Sequence, residues 1–134
     1  MNTVRIVLIE DNPGDILLVE LALKENGILC ELTRFNNGEE ALRVLFSSAE
    51  ANAPVPDAIL LDLNTPKSDG FNVLIKLRQS PRFSKTPIAI LTSSQASSDK
   101  HRSALQGVRY IQKPSQLEAF LATVGAAVKE MLNA

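Results

Sequence analysis

The chain has 134 residues, 45% of them hydrophobic and 22% charged, a composition that excludes a disordered chain and fits one compact domain over residues 1–134. Fourteen basic residues against fifteen acidic ones leave a formal charge of -1, so no basic field draws it to nucleic acid or a membrane. Cys30 is the only cysteine, which excludes an internal disulfide, and the apolar run at 4–9 is too short for a signal peptide core or a membrane span. The expectation is a soluble, cytoplasmic domain.

The first apolar run, Val4–Ile9, is almost continuous Ile, Val and Leu, the pattern of a strand covered on both faces, and it ends in Glu10-Asp11. Asn12 then reads as an N-cap and Pro13 as a first-turn proline. They open a helix with Ile16, Leu17, Val19, Leu21 and Leu23 on its apolar face and Gly27 past its end. A second strand over Ile28–Phe35 leads into a helix from about 39 to 48. The Pro- and Ala-containing stretch from Ala51 to Pro56 is a loop inside the domain, and the third strand, Ala58–Leu61, runs into Asp62.

The next helix carries Phe71, Val73, Leu74, Ile75 and Leu77 and stops before Pro81. The fourth strand, 87–91, ends in Thr92-Ser93-Ser94. The fourth predicted helix, 93–107, is serine-rich and offers only Ala96, Ala104 and Leu105 as apolar contacts, so it is expected to be the least stable segment. The lone histidine, His101, falls there and reads as surface or filler. A fifth strand over Val108–Ile111 precedes Lys113-Pro114. The last helix, 115–132, is expected to bury Leu117, Phe120, Leu121, Val124 and Val128. Strand and helix alternate throughout, which predicts an α/β fold, a doubly wound five-stranded parallel sheet of order 2-1-3-4-5.

Ligand sites in such sheets form at the carboxyl ends of the strands. The residues there are Glu10 and Asp11, Asp62, Thr92, and Lys113. Asp11 on its own reads equally well as part of a helix cap, and Lys113 as a solvated lysine. Asp62 does not fit so bland a role, because a carboxylate in Ala-Ile-Leu-Leu-Asp-Leu is costly unless compensated. Three converging carboxylates repel one another unless a cation sits between them, and an oxygen-only set without His or Cys suits Mg²⁺ rather than zinc. A carboxylate nucleophile, a hard cation, a lysine and a hydroxyl together describe phosphoryl transfer to a carboxylate. A phosphate-cradling nucleotide fold is excluded, since neither glycine-rich fingerprint follows the first strand. A dehalogenase-type phosphatase is disfavoured because Asn64 stands where its general acid belongs.

Four segments in order resemble the receiver (response-regulator) domain of two-component signalling, a chemotaxis-regulator-like, flavodoxin-like (βα)5 fold. They are Ile-Glu-Asp-Asn-Pro-Gly-Asp, Leu-Leu-Asp-Leu-Asn-Thr-Pro-Lys-Ser-Asp-Gly, Ile-Leu-Thr-Ser-Ser and Tyr-Ile-Gln-Lys-Pro. The resemblance runs from Val4 to about Leu132 and is greatest to stand-alone receivers that partner bacterial phytochrome-type histidine kinases.

It implies Asp62 as the phosphoacceptor, with Glu10, Asp11, Asp62 and the backbone of Asn64 at a Mg²⁺ ion. It implies Thr92 and Lys113 as the groups that meet the phosphoryl oxygens, and Asn64 and Ser94 as the side chains that control water access. Thr92 and Tyr110 would form the switch, and the peptide before Pro114 would be cis. Glu10 is longer than the aspartate often found at its position.

The function this implies is that of a bacterial phosphorelay response regulator, not an enzyme beyond catalysing its own aspartyl phosphorylation and dephosphorylation. A sensor histidine kinase or phosphotransfer protein would be the donor, and the signal would leave through the face of the fourth and fifth predicted helices and the fifth strand. A second copy of the chain is a candidate partner, whereas nucleic acid and membrane are not expected. The alternative is a receiver-like interaction module that works without phosphorylation.

Overall fold

The computed structural model describes residues 3–47, 52–63, 70–93, 103–104 and 107–133. Five strands form one parallel sheet: β1 (Val4–Ile9), β2 (Cys30–Phe35), β3 (Ala58–Leu61), β4 (Ile88–Thr92) and β5 (Arg109–Gln112), in the order β2-β1-β3-β4-β5. This is the expected doubly wound order. β1, β3 and β4 are flanked on both sides by other strands, and their alternate side chains enter two separate apolar layers. Ile6, Leu8, Leu60, Ala89 and Leu91 face one layer, while Val7, Ile9, Ile59, Leu61 and Ile90 face the other. Burial on both faces is why these strands read as unbroken apolar runs rather than alternating ones.

The described helices are α1 (Pro13–Glu25), α2 (Gly38–Leu45), α3 (Gly70–Gln79) and α4 (Leu117–Leu132). Helices α1 and α4 cover the first layer through Val19, Ala22, Leu23, Phe120, Val124 and Val128. Helices α2 and α3 cover the second through Ala41, Leu45, Phe71, Leu74 and Leu77. The start of α1 follows its sequence signal, since Asn12 Oδ1 accepts from the Asp15 N–H at 3.0 Å, and α2 opens in the same way with Asn37 Oδ1 accepting from the Glu40 N–H at 2.8 Å.

Three expectations need correcting. Leu17 is 65% exposed, because the buried stripe of α1 follows Val19, Ala22 and Leu23 instead. Leu117 is 52% exposed, since it is the first residue of α4, a turn ahead of the buried Phe120. β2 begins at Cys30 rather than Ile28 because the end of α1 takes Ile28 for itself: Gly27 has φ 70°, its N–H donates to Lys24 O, and the Ile28 N–H reaches back to Leu23 O at 2.9 Å. That is a Schellman closure, which requires the left-handed conformation glycine adopts without strain. The same pair of bonds recurs at Gly107 (φ 65°), where Gly107 N–H meets Ala104 O and Val108 N–H meets Ser103 O. The fourth predicted helix therefore ends where expected, although most of it lies outside the described residues, His101 included.

The α1–α4 contact has one polar lock. Asn26 Nδ2 donates to Ala22 O at 2.8 Å and to Leu121 O at 3.1 Å, tying the end of the first helix to the middle of the last. A side chain at Gly125 would occupy the place of that amide, so only glycine admits it there.

Candidate functional site

The carboxyl ends of the strands bring together residues far apart in sequence. The parallel ladder carries on past β1 and β3: Glu10 N–H donates to Phe35 O and Asp62 N–H to Ile9 O, both at 3.0 Å. Those bonds hold the two acidic residues side by side at the top of the sheet. Glu10 and Asp62 are buried, at 1% and 5% exposure, while Asp11 faces solvent. One carboxylate oxygen from each of Glu10, Asp11 and Asp62 falls within 4.8 Å of the others.

Lys113 reaches the same spot from beyond β5. Its N–H donates to Thr92 O at 2.7 Å, so the β4–β5 pairing sets its backbone. Its Nζ donates to Glu10 Oε1 at 2.7 Å, Asp15 Oδ2 at 2.7 Å and Asp62 Oδ2 at 3.1 Å. An ammonium has three N–H donors, and each has a carboxylate. Thr92, which ends β4, is fully buried. Tyr110 is half-buried against the α2–α3 layer and pairs with Ile90 in the ladder.

Two expected site residues, Asn64 and Ser94, lie outside the described residues. The expectation for Pro114 is contradicted: the Lys113–Pro114 peptide is trans, as no described peptide bond is cis. Trans is the lower-energy isomer of an X–Pro bond. Asp15 joins the site without having been singled out. It stands within the quoted Glu-Asp-Asn-Pro-Gly-Asp segment, and its place on the first turn of α1, facing the sheet edge, was the available signal.

The electrostatics divide the charges unequally. Burial pushes the Glu10 carboxyl up to about 7; a hydrogen bond shared with Asp62 adds to that rise, and Lys113 opposes it. For Lys113, burial disfavours the charge, but the hydrogen bonds it donates to Asp15 and Glu10 and the field of Asp62 outweigh it and raise its pKa. Lys113 therefore stays charged across the neutral range while Glu10 titrates within it.

A raised folded-state pKa stabilises the fold below the unfolded value and loses that contribution as pH climbs through the folded one. In chelator, the protein is therefore expected to lose on the order of 3 kcal/mol of stability between pH 4.5 and just above 7, the worth of the Glu10 shift from 4.5 to about 7. Urea unfolding across that range measures it, and a Glu10→Gln variant should flatten the slope. A wild-type slope that is flat or reversed would contradict the Glu10 assignment.

Oxygen-only donors converging within 4.8 Å, two of them buried, suit a hard divalent cation. Among the described residues no helix is long and apolar enough to cross a membrane.

Comparison with known proteins gives one consistent result. The response regulator receiver domain family matches residues 6–125. The response regulator Rcp1 of Synechocystis is 40% identical over 95 residues, a match that spans 70% of this chain and 65% of that protein, just under two thirds of its length. The methanogenesis regulatory protein FilR2 of Methanothrix harundinacea, itself described as probable, is 32% identical over 120 residues, 89% of this chain and 77% of that one. Among solved structures, the phosphorylated cyanobacterial phytochrome response regulator RcpA superposes with a TM-score of 0.88 at 33% identity, covering 99% of this chain and 96% of its own. The Mn²⁺-bound form of Rcp1 gives 0.86 at 33% identity, covering 97% and 95%.

Proposed function

We propose, because the chain belongs to the response regulator receiver family, that it takes a phosphoryl group onto Asp62 and passes the signal on through a protein-binding face. The observation that carries this reading is the placement of Asp62 at the end of β3, with Glu10 and Asp11 within 4.8 Å and Lys113 Nζ at 3.1 Å. A buried carboxylate beside an ammonium, with an acidic pair placed to hold a cation, is a nucleophile held where the negative charge of an incoming phosphoryl group would be met.

In the proposed reaction an Asp62 oxygen attacks the phosphorus of a phosphohistidine. The P–O bond forms as the P–N bond breaks, and the imidazole nitrogen leaves with the electron pair and takes up a proton. Glu10, Asp11, Asp62 and the Asn64 backbone would hold Mg²⁺, which when bound supplies positive charge to the phosphoryl oxygens. Lys113 gives up its bond to Asp62 and donates to a phosphoryl oxygen, and the Thr92 hydroxyl donates to another. Little else is needed, since an ionised carboxylate is already nucleophilic. The chain would catalyse this self-modification and its hydrolysis and nothing further.

The donor would be a sensor histidine kinase, of the phytochrome type by likeness to Rcp1 and RcpA, or a phosphotransfer protein, in the cytoplasm. Thr92 ends β4 and Tyr110 lies inside the adjacent β5, so movement of the first would open space for the second. That would bias a two-state surface around β5 and α4 toward its active form. A kinase, a phosphotransfer protein or a second copy would read that surface, with neither nucleic acid nor membrane involved.

Incubation with acetyl phosphate and Mg²⁺, followed by mass mapping, tests the reading. Wild type should gain one phosphoryl group on Asp62, and Asp62→Asn should gain none. Equal labelling of the two would overturn the assignment. Binding of a partner to the Asp62→Asn chain as tightly as to the labelled wild type would favour the phosphorylation-independent role.

A further inference from the structure

We infer that Asp15 is a positioning residue for the reaction at Asp62, anchoring the Lys113 ammonium from outside the metal-binding carboxylates; this rests on the proposed phosphorylation of Asp62. Lys113 Nζ is 2.7 Å from Asp15 Oδ2, as short as its bond to Glu10 and shorter than its 3.1 Å bond to Asp62. The two residues are 98 positions apart, so the contact is made by the fold and not by local geometry.

Two features set Asp15 apart from the other partners. It is not one of the three carboxylates that converge within 4.8 Å, which are Glu10, Asp11 and Asp62. Its backbone is also fixed independently, because its N–H is held by the Asn12 side chain at 3.0 Å in the first turn of α1, where the helix dipole favours a negative charge.

The consequence appears when the other two partners are called away. A cation at the acidic group would draw the Glu10 and Asp62 oxygens toward itself, and phosphorylation would turn the Asp62 carboxylate into the acyl group of an acyl phosphate, without its carboxylate charge. Lys113 then keeps a single full carboxylate partner, Asp15. A lysine side chain free to explore its rotamers seldom places its ammonium on a phosphoryl oxygen, whereas one tethered at 2.7 Å has only a short swing to make. Asp15 thus holds Nζ on the α1 side of the pocket, facing Asp62, throughout the transfer.

The test measures the rate of phosphorylation by acetyl phosphate across a Mg²⁺ titration for wild type, Asp15→Asn and Asp15→Glu, and then for Lys113→Ala with and without Asp15→Asn. Asparagine keeps the shape and the backbone cap but removes the charge. The maximal rate of Asp15→Asn should fall about tenfold, with the half-saturating Mg²⁺ concentration changed less than about twofold, and Asp15→Glu should recover part of the rate. In the Lys113→Ala background Asp15→Asn should cost nothing more, because its effect passes through the lysine.

Any of three results overturns the inference: an unchanged rate for Asp15→Asn, a half-saturating Mg²⁺ that moves in step with the rate, or an equal loss with and without Lys113. Melting curves in Mg²⁺ separate a rate loss from unfolding, and Asp15→Ala repeats the measurement if the asparagine variant does not fold. A wild type that fails to label Asp62 refutes the proposed function instead, so the two failures are distinct.

Discussion

Replacing Lys113 with alanine is expected to lower the stability of the chelated protein by about 3–5 kcal/mol at pH 8, the usual result of removing one partner from a buried ion pair. The lysine side chain is 11% exposed, and it faces Glu10 and Asp62 side chains exposed by only 1% and 7%. Without it, those two carboxylates meet in a dry pocket with no cation between them. The loss should shrink at pH 5, because Glu10, raised to about 7 even with the lysine present, is then protonated and one charge disappears. Millimolar Mg²⁺ should restore part of the stability by taking the place of the ammonium.

Phosphorylation should nonetheless fall by about 10²–10³-fold at saturating Mg²⁺, as it does when a donor aimed at developing charge is removed. Urea unfolding at both pH values and labelling kinetics provide the check. A stability loss below about 1 kcal/mol at pH 8, or one equal at the two pH values, would show that the charges do not depend on one another as the geometry implies.

Mg²⁺ itself should raise the melting temperature of the wild type, by on the order of 5 °C at ten times its dissociation constant. The physical source is linkage: the folded chain gathers three carboxylate oxygens within 4.8 Å, which the unfolded chain cannot do. Asp11→Ala should remove most of that response. Asp11 is the exposed member of the group and donates no bond that holds the sheet, so its loss tests the metal site with little disturbance of the fold. In chelator the same variant should melt no lower than wild type, since one of three repelling charges is gone. A wild-type midpoint indifferent to Mg²⁺, or an Asp11→Ala variant that responds fully, would argue against these carboxylates as the metal ligands.

How much of this was legible in the chain depends on the range of the forces involved. The sheet order and the strands were readable because each strand announces itself locally: β3 and β4 are buried on both faces, so Ala58–Leu61 and Ile88–Leu91 are apolar at every position. The positions of Asp62 and Thr92 followed, since whatever polar residue ends a buried strand must lie at the sheet's carboxyl edge. The helix cap at Asn12 is equally local.

What required the tertiary structure were the partnerships that cross the chain. That Leu17 and Leu117 stay exposed depends on which helix face meets the sheet, and a broad apolar stripe does not reveal that. The start of β2 depends on whether Ile28 N–H pairs with a neighbouring strand or turns back to Leu23, a competition between two bonds of similar strength. Asp15 and Glu10 show the same limit at the site. A carboxylate on the first turn of a helix looks like a dipole complement until Lys113, 98 residues on, is seen to reach it. A glutamate ending a strand looks ionised until its burial beside Asp62 is known. Composition and spacing determine which groups arrive at the sheet edge, because burial of each strand is a local property. Which charges share a donor, and which carry a proton, is decided only by distances of about 3 Å in a water-poor pocket, where Coulomb energy changes steeply with position.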